Sequence, residues 1–368
     1  MTDVVCLGNL TVDILVKPEK DLPKWGRLCL VDNPIIQSLG GNGAIFSAFL
    51  TGLGRDNALH GRIGEDDRGD WVLSRLDAMR IKKDGVSRTS GILTDTTVIL
   101  VDEQGRRAFL HQQGAGAQTK VEDVPDVAFR GASWLHVGSY LLLPGITGAP
   151  MVRLLKKAKA EGAFTSLDIA WDPSGKWEIE DIAKHLDVLF LNIDEGEQIT
   201  KSDAPLEILE TIGRYGPKVT VLKMGESGCS VRTAEGESFF APAFPIEPVD
   251  TTGAGDAFCA GWVEGCLSRL EVSGWASKGK KGNKGKKVKG EAKGTGKGGG
   301  KGKGEQKEEA DGEDILGHLG VPELKKVALM ANAIGGLAAS SMGVPERCPS
   351  MNDLLTFIKR GKKGLVLE

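Results

Sequence analysis

Seven consecutive residues, Asp250-Thr251-Thr252-Gly253-Ala254-Gly255-Asp256, carry the most chemistry in this 368-residue chain. A Gly-x-Gly turn that opens a helix leaves backbone N–H groups facing an anion with no side chain in the way. Asp256 follows at once, at the mouth of the same turn. Donors that stabilise developing negative charge, beside a carboxylate that accepts a proton, are what phosphoryl transfer to an alcohol needs. Short glycine turns before helices are common, and a bare Gly-x-Gly is mostly loop chemistry; the full string is far more specific. A second glycine-rich stretch, Gly114 to Lys120, lacks the Gly-Lys-Ser/Thr ending of a Walker-type phosphate loop and reads as a loop.

The elements that must hold this turn are legible in outline. The run Phe244 to Val249 leads in as extended chain, and Ala257 to Leu270 leads out as a helix. Val4 to Gly8 is the continuous apolar run of a buried parallel strand. Asp13 follows just after its end, on the side where open α/β sheets bind ligands. Gly40-Gly41-Asn42-Gly43-Ala44 opens a helix to Gly52, Leu59 to Ile63 is a second strand, and Trp71 to Met79 is a surface helix. Thr96 to Gln112 has a hairpin pattern with a turn at Gly105. From Trp134 onward, strands at 134–137, 164–167, 188–191 and 219–222 alternate with helical stretches, the first at 150–161. Another helical stretch, 322–341, follows near the C-terminus. Such alternation implies βαβ units and a parallel sheet flanked by helices.

The heptapeptide is the signature of the ribokinase-like (PfkB) family of carbohydrate kinases, and the chain resembles that family elsewhere in the right order. Gly8 and Asp13 resemble its N-terminal Gly-x-x-x-x-Asp element, and Gly40-Gly41-Asn42 its first Gly-Gly signature. Asn192-Ile193-Asp194-Glu195 resembles its Asn-x-x-Glu element, although the same residues also suit the N-terminus of a helix. The resemblance implies a three-layer α/β/α sandwich with a mostly parallel central sheet and a small β-sheet lid. The kinase domain would span 1–277 and 311–368, with the lid at about 9–37 and 89–115.

The resemblance also implies roles. Asp256 would be the general base, and the amides of Gly253, Ala254 and Gly255 the anion hole. Asp13, Gly41 and Asn42 would bind a sugar-like substrate. Asn192, Lys223, Gly225 and Asn332 would line the ATP site. Glu195 would help hold Mg2+, often through water, an arrangement that suits an ion keeping several waters. Asp250 and Thr252 match positions that bind a monovalent cation such as K+ in some members. Family members often form homodimers through the lid. A nucleoside kinase of the same fold, and a catalytically inactive ligand-binding regulator, remain as alternative readings. The pattern departs from the sugar-specific members at two positions. Ile45 and Thr11 stand where many of them, ribokinases among them, carry asparagines, so the hydroxyls recognised, and with them the substrate's name, stay open.

Composition bounds the rest. Six scattered cysteines with no Cys-x-x-Cys pair argue against zinc and against a disulfide framework, and fit a reducing, cytoplasmic setting. No signal-like N-terminus and no run of about 18 apolar residues is present, so no membrane contact is expected. The net charge of −3 hides an asymmetry: residues 278–304 hold 11 Lys, 11 Gly and one acid, a local charge of +10 that leaves −13 elsewhere. A segment with so few apolar residues cannot offset its ordering entropy, and residues 278–310 are expected to be a disordered surface insertion. Clustered lysines would also allow non-specific contact with polyanions.

Overall fold

The computed structural model describes residues 2–17, 25–31, 34–102, 107–273, 315 and 317–361. The insertion expected at 278–310 and the hairpin turn around Gly105 lie outside the described residues. In chain order the helices and strands are β1 (Val4–Leu7), β2 (Thr11–Val16), β3 (Ile36–Gly40), α1 (Asn42–Gly52), β4 (Asn57–Gly64), α2 (Asp67–Ala78), β5 (Lys82–Thr89), β6 (Asp95–Val101), β7 (Arg107–Gln112), β8 (Trp134–Val137), α3 (Ala149–Ala160) and β9 (Phe164–Asp168). Then come α4 (Glu180–Ala183), β10 (Val188–Asn192), α5 (Ile193–Thr200), α6 (Pro205–Gly213), β11 (Val219–Lys223), β12 (Gly228–Thr233), β13 (Ser238–Pro242), α7 (Ala254–Val272), α8 (Val321–Ala339) and α9 (Met351–Gly361).

Nine strands form one sheet in the order β13-β12-β11-β10-β9-β8-β1-β4-β5. Its pairings from β5 to β11 are parallel, and β12 and β13 add an antiparallel edge. Alternation along β1 shows why there are three layers. Val4 and Cys6 enter a core with α1, α7 and α8, whereas Val5 and Leu7 enter a second core with α3 and α6. A strand buried on both faces has no polar side, which is why it reads as an unbroken apolar run. After β1 the chain builds β4 and β5 on one flank, then crosses to build β8 through β11 on the other. The strand order therefore reverses at β1, where α/β sheets open a crevice beyond their carboxyl ends.

A second sheet of four strands, β3-β2-β6-β7, stands apart from the first. Its β2–β6 pairing is parallel and its two outer pairings are antiparallel. Asp13, read from sequence as lying just past a strand, sits inside β2 of this sheet. The extended run Phe244 to Val249 belongs to neither sheet. Helix α2 starts at Asp67, ahead of its first large apolar residue, because the Asp66 side chain accepts from Gly69 N at 2.9 Å and caps it. Helices α7 and α8 run antiparallel in close contact: a Cβ on Gly261 would lie 3.0 Å from Ala331, and one on Gly265 would lie 3.3 Å from Val327. Among the described residues, no helix is long and apolar enough to cross a membrane.

Candidate active site

The polar residues gather where the strand order reverses. Asn9 follows β1 and Ser139 follows β8, two adjacent parallel strands. Ser139 Oγ lies 2.6 Å from Oδ1 of both Asn9 and Asn42, and Asn9 Oδ1 also accepts the backbone N–H of Asn42 at 2.9 Å. Ser139 is left-handed, with φ of 62°, in a region that non-glycine residues rarely enter and that often marks functional sites. Three tight glycine contacts bring α1 in. Gly41 has φ of 88° and its Cβ would fall 2.5 Å from Asn9 O, a Cβ on Gly8 would fall 2.7 Å from Gly43 Cα, and one on Gly40 would overlap the Asp13 carboxylate. The glycines of this signature are thus what lets Asn42 and Asp13 approach the ends of the strands.

Asp256 is the third residue of α7, and the Asn42 side chain hydrogen-bonds to it. Burial, then the charges of Asp168 and Asp13, push its carboxyl up to about 7, against the pull of Lys223 and Asn42. Gly253 caps α7 with φ of 75°, and a Cβ there would meet Ile45 Cγ2 at 3.0 Å. The N–H of Ala254 donates to Thr251 O at 3.2 Å and so closes the turn itself. The first N–H groups of a helix have no carbonyl partner within it, so the amides around Gly255 remain suited to an anion.

Asp250 braces this turn. One of its oxygens accepts from Thr252 N at 2.9 Å and Thr252 Oγ1 at 2.7 Å, and the other from Gly343 N at 2.9 Å. Asn192 and Glu195 form a reciprocal capping box at the start of α5, each side chain accepting the other's backbone N–H at 2.8 Å. Glu195 is also buried, and burial and Asp168 hold its carboxyl well above the usual range. Asn332 on α8 donates to Ala241 O at 2.9 Å and Pro242 O at 3.0 Å, tying down the end of β13. Gly225 is exposed, with φ of 56°, in the turn after β11.

Lys223 ends β11, and its Nζ lies 3.4 Å from where a Cβ on Gly255 would be, directly beneath the start of α7. It pairs with Asp168 Oδ2 at 2.6 Å. Burial alone would push the ammonium down; Asp168 and Glu195 hold it above its usual value.

Sequence reasoning missed Asn9, Ser139, Asp168 and Arg107. The first three are polar residues at the carboxyl ends of parallel strands, a signal that becomes readable only once the strand order is known. Arg107 on β7 reaches across from the second sheet, with Nη1 3.4 Å from Thr252 Oγ1. Burial pushes its guanidinium down while Asp250 and Asp256 pull it up.

The model of the pfkB family of carbohydrate kinases matches residues 1–280. The ATP-dependent ribose-1-phosphate kinase of Halopiger xanaduensis is 29% identical over 276 residues, spanning 74% of this chain and 87% of that one. A fructokinase of Vibrio alginolyticus is 27% identical over 278 residues, spanning 73% and 85%. Among solved structures, the ribokinase of Giardia lamblia superposes with a TM-score of 0.75 at 18% identity, covering 98% of this chain and 99% of that one. Fructokinase with bound ATP from Xylella fastidiosa superposes with a TM-score of 0.72 at 18% identity, covering 98% and 100%. The chain belongs to the pfkB family of carbohydrate kinases, with the ribokinase-like fold its strand order describes.

Proposed function

We propose that the chain moves the γ-phosphate of ATP to a hydroxyl of a sugar, with Asp256 as the general base. The observation that carries this reading is the placement of Asp256. It is a buried carboxyl with its pKa raised to about 7, in the first turn of a helix, hydrogen-bonded to Asn42 from the glycine signature. A base poised near neutral pH takes the proton of the attacking alcohol most effectively. The amides of Gly253 and Gly255 would stabilise charge on the transferring phosphoryl group, with that of Ala254 holding the turn closed. Asp13 would accept from a sugar hydroxyl beside Gly41 and Asn42. Lys223, Asn192, Gly225 and Asn332 would line or support the ATP site.

Magnesium fits the donor set beneath the turn. Asp168 Oδ1 is buried and has no hydrogen-bond partner among the described residues, and Glu195 lies close enough for the two charges to interact. Hard oxygen donors few in number suit an ion that retains its waters, and no group of three or more such side chains forms a closed cage among the described residues. When bound with ATP, the ion would neutralise phosphate charge. Asp250 and Thr252 are candidate ligands of a monovalent cation, which would have to share a carboxylate already bonded to Gly343 N. A solved fructokinase double mutant from Vibrio cholerae holds fructose, ADP and potassium ion together.

The second sheet, with residues in the 9–37 and 89–115 segments, would act as the lid, excluding water so that ATP is not hydrolysed. Release of ADP over a panel of sugars, polyols and nucleosides tests the assignment. Sugar-dependent release supports it, and release driven only by nucleosides, or none at all, rejects it.

A further inference from the structure

Helix α6 packs against β12 at the antiparallel edge of the large sheet. Its apolar residues join the core of α3, whereas Cys229 and Val231 of β12 face the core of α7 and α8. Residues 206, 209, 210, 213 and 214 recur at helical spacing and so form one stripe along α6. Across from it stand Ser230 and Arg232 of β12, with their register partners Phe240 and Ser238 of β13. Two clefts follow one another along this stripe. One, of about 220 Å³, is lined by Leu206, Leu209, Ser230 and Phe240 among others. The next, of about 370 Å³, is lined by Glu210, Gly213, Arg214, Arg232 and Thr233 among others.

The first cleft is apolar and open: Leu206 is 64% and Phe240 54% exposed. The second is cationic. Gly213 has no side chain, so Arg232 lies against the end of α6; a Cβ there would fall 3.1 Å from Arg232 Nε. Arg232 Nη1 donates to Gly236 O at 3.2 Å and to Ser238 Oγ at 3.3 Å, bonds that hold the guanidinium in place without neutralising it. Arg214 ends the same helix and is exposed. Among the described residues neither arginine is paired with a carboxylate, although Glu210 lines the same cleft. This cleft is outside the candidate active site. Thr233 pairs with Val219 at the start of β11, whereas Lys223, beneath the glycine turn, is at the other end of that strand.

We propose that this groove binds an organic phosphate with an apolar body. The phosphate rests on the guanidinium groups of Arg232 and Arg214, and the apolar part lies against Leu206 and Phe240. Guanidinium groups match phosphate oxygens with two parallel N–H bonds, and one already held by its neighbours loses little freedom on binding. Apolar walls with a few placed polar groups are the usual make-up of a small-molecule site. Ser230 and Arg232 are two residues apart on one strand, which sets the apolar and cationic ends on the order of 7 Å from each other, the span of a short organic phosphate. The Glu210 carboxylate opposes the anion and limits its affinity.

The test is isothermal titration calorimetry on the full-length chain at constant ionic strength, with Mg2+ and a saturating non-hydrolysable ATP analogue present to occupy the glycine turn. Hexyl phosphate is expected to bind once per chain, inorganic phosphate about tenfold or more weakly, and hexanol not detectably. Arg214→Met and Arg232→Met each weaken hexyl phosphate about tenfold or more. Phe240→Ser brings hexyl phosphate close to the affinity of inorganic phosphate, and Glu210→Gln tightens both. Arg214→Met and Phe240→Ser keep the wild-type melting temperature and, without the probes, the wild-type ADP release, so their loss of binding is not a loss of fold. No binding of hexyl phosphate to the wild type would overturn the proposal, as would binding that Arg214→Met and Phe240→Ser leave unchanged. Both results concern this groove alone; the kinase reading stands or falls on ADP release.

Discussion

Lys223 Nζ lies 2.6 Å from Asp168 Oδ2, and this buried pair sits directly beneath the glycine turn that opens α7. The pair joins the ends of β11 and β9, and its cation acts on both Glu195 and Asp256. Removing one partner of a buried pair leaves the other charge uncompensated. Lys223→Met is therefore expected to lose about 3–5 kcal/mol of stability in urea unfolding. It also moves the acid limb of the pH–rate profile to higher pH, because Asp256 loses the cation that favours its ionised form. A variant as stable as the wild type, with an unshifted profile, would contradict this electrostatic role.

Asp256 links rate to stability with opposite signs. If Asp256 is the general base, its pKa of about 7 makes the rate rise with pH through that value as the carboxyl ionises. Between the ordinary aspartate range and 7, the folded chain holds a proton that the unfolded chain has released. This group's contribution to stability is thus intact below that window and is lost as pH rises through it. Asp256→Asn should lower kcat by about 10²–10⁴-fold. It should melt above the wild type at pH 8, with the gap closing toward pH 4. Calorimetry at both pH values and a rate profile check the two halves separately.

The cap of α7 is a backbone requirement. Gly253 has φ of 75°, and its Cβ would press on Ile45 at 3.0 Å. Gly253→Ala is expected to cost about 1–2 kcal/mol from the left-handed conformation alone. It should lower kcat more than it lowers stability, because a displaced turn misplaces the amides. Equal melting temperature and turnover would show that the turn adapts.

Arg107 brings a positive charge from the second sheet to the entrance of the turn. If it meets the transferring phosphoryl group, Arg107→Met lowers kcat about 10²–10³-fold, the range seen when one stabilising donor is removed. KM for the sugar should change little. A loss confined to the sugar KM would place Arg107 with the recognition residues instead.

The architecture was largely legible because buried parallel strands such as Val4 to Leu7 and Val188 to Leu191 are uninterrupted apolar runs, and the glycine signatures mark backbone contacts that only glycine permits. Strands β12 and β13 were not read, and β2 and β3 were placed only through the resemblance, in the lid at about 9–37. Their residues are mixed, and Asp13 in β2 looks like a turn acid until a partner strand is known. Within the site, the glycine turn and its acid were evident because they are contiguous. The pairing of Lys223 with Asp168 was not, since 55 positions separate them. Ser139 meets Asn9 across 130 positions for the same reason. Only the order of strands brings such residues together, and no local pattern encodes that order.

Helix α7 is 19 residues long, so its two ends stand roughly 28 Å apart. The glycine turn occupies one end. The chain departs from the other at Val272 and rejoins the antiparallel α8 at Val321. The described chain on either side of the lysine-rich stretch therefore meets the fold at the end of α7 away from the glycine turn, so both attachment points are separated from that turn by the length of the helix.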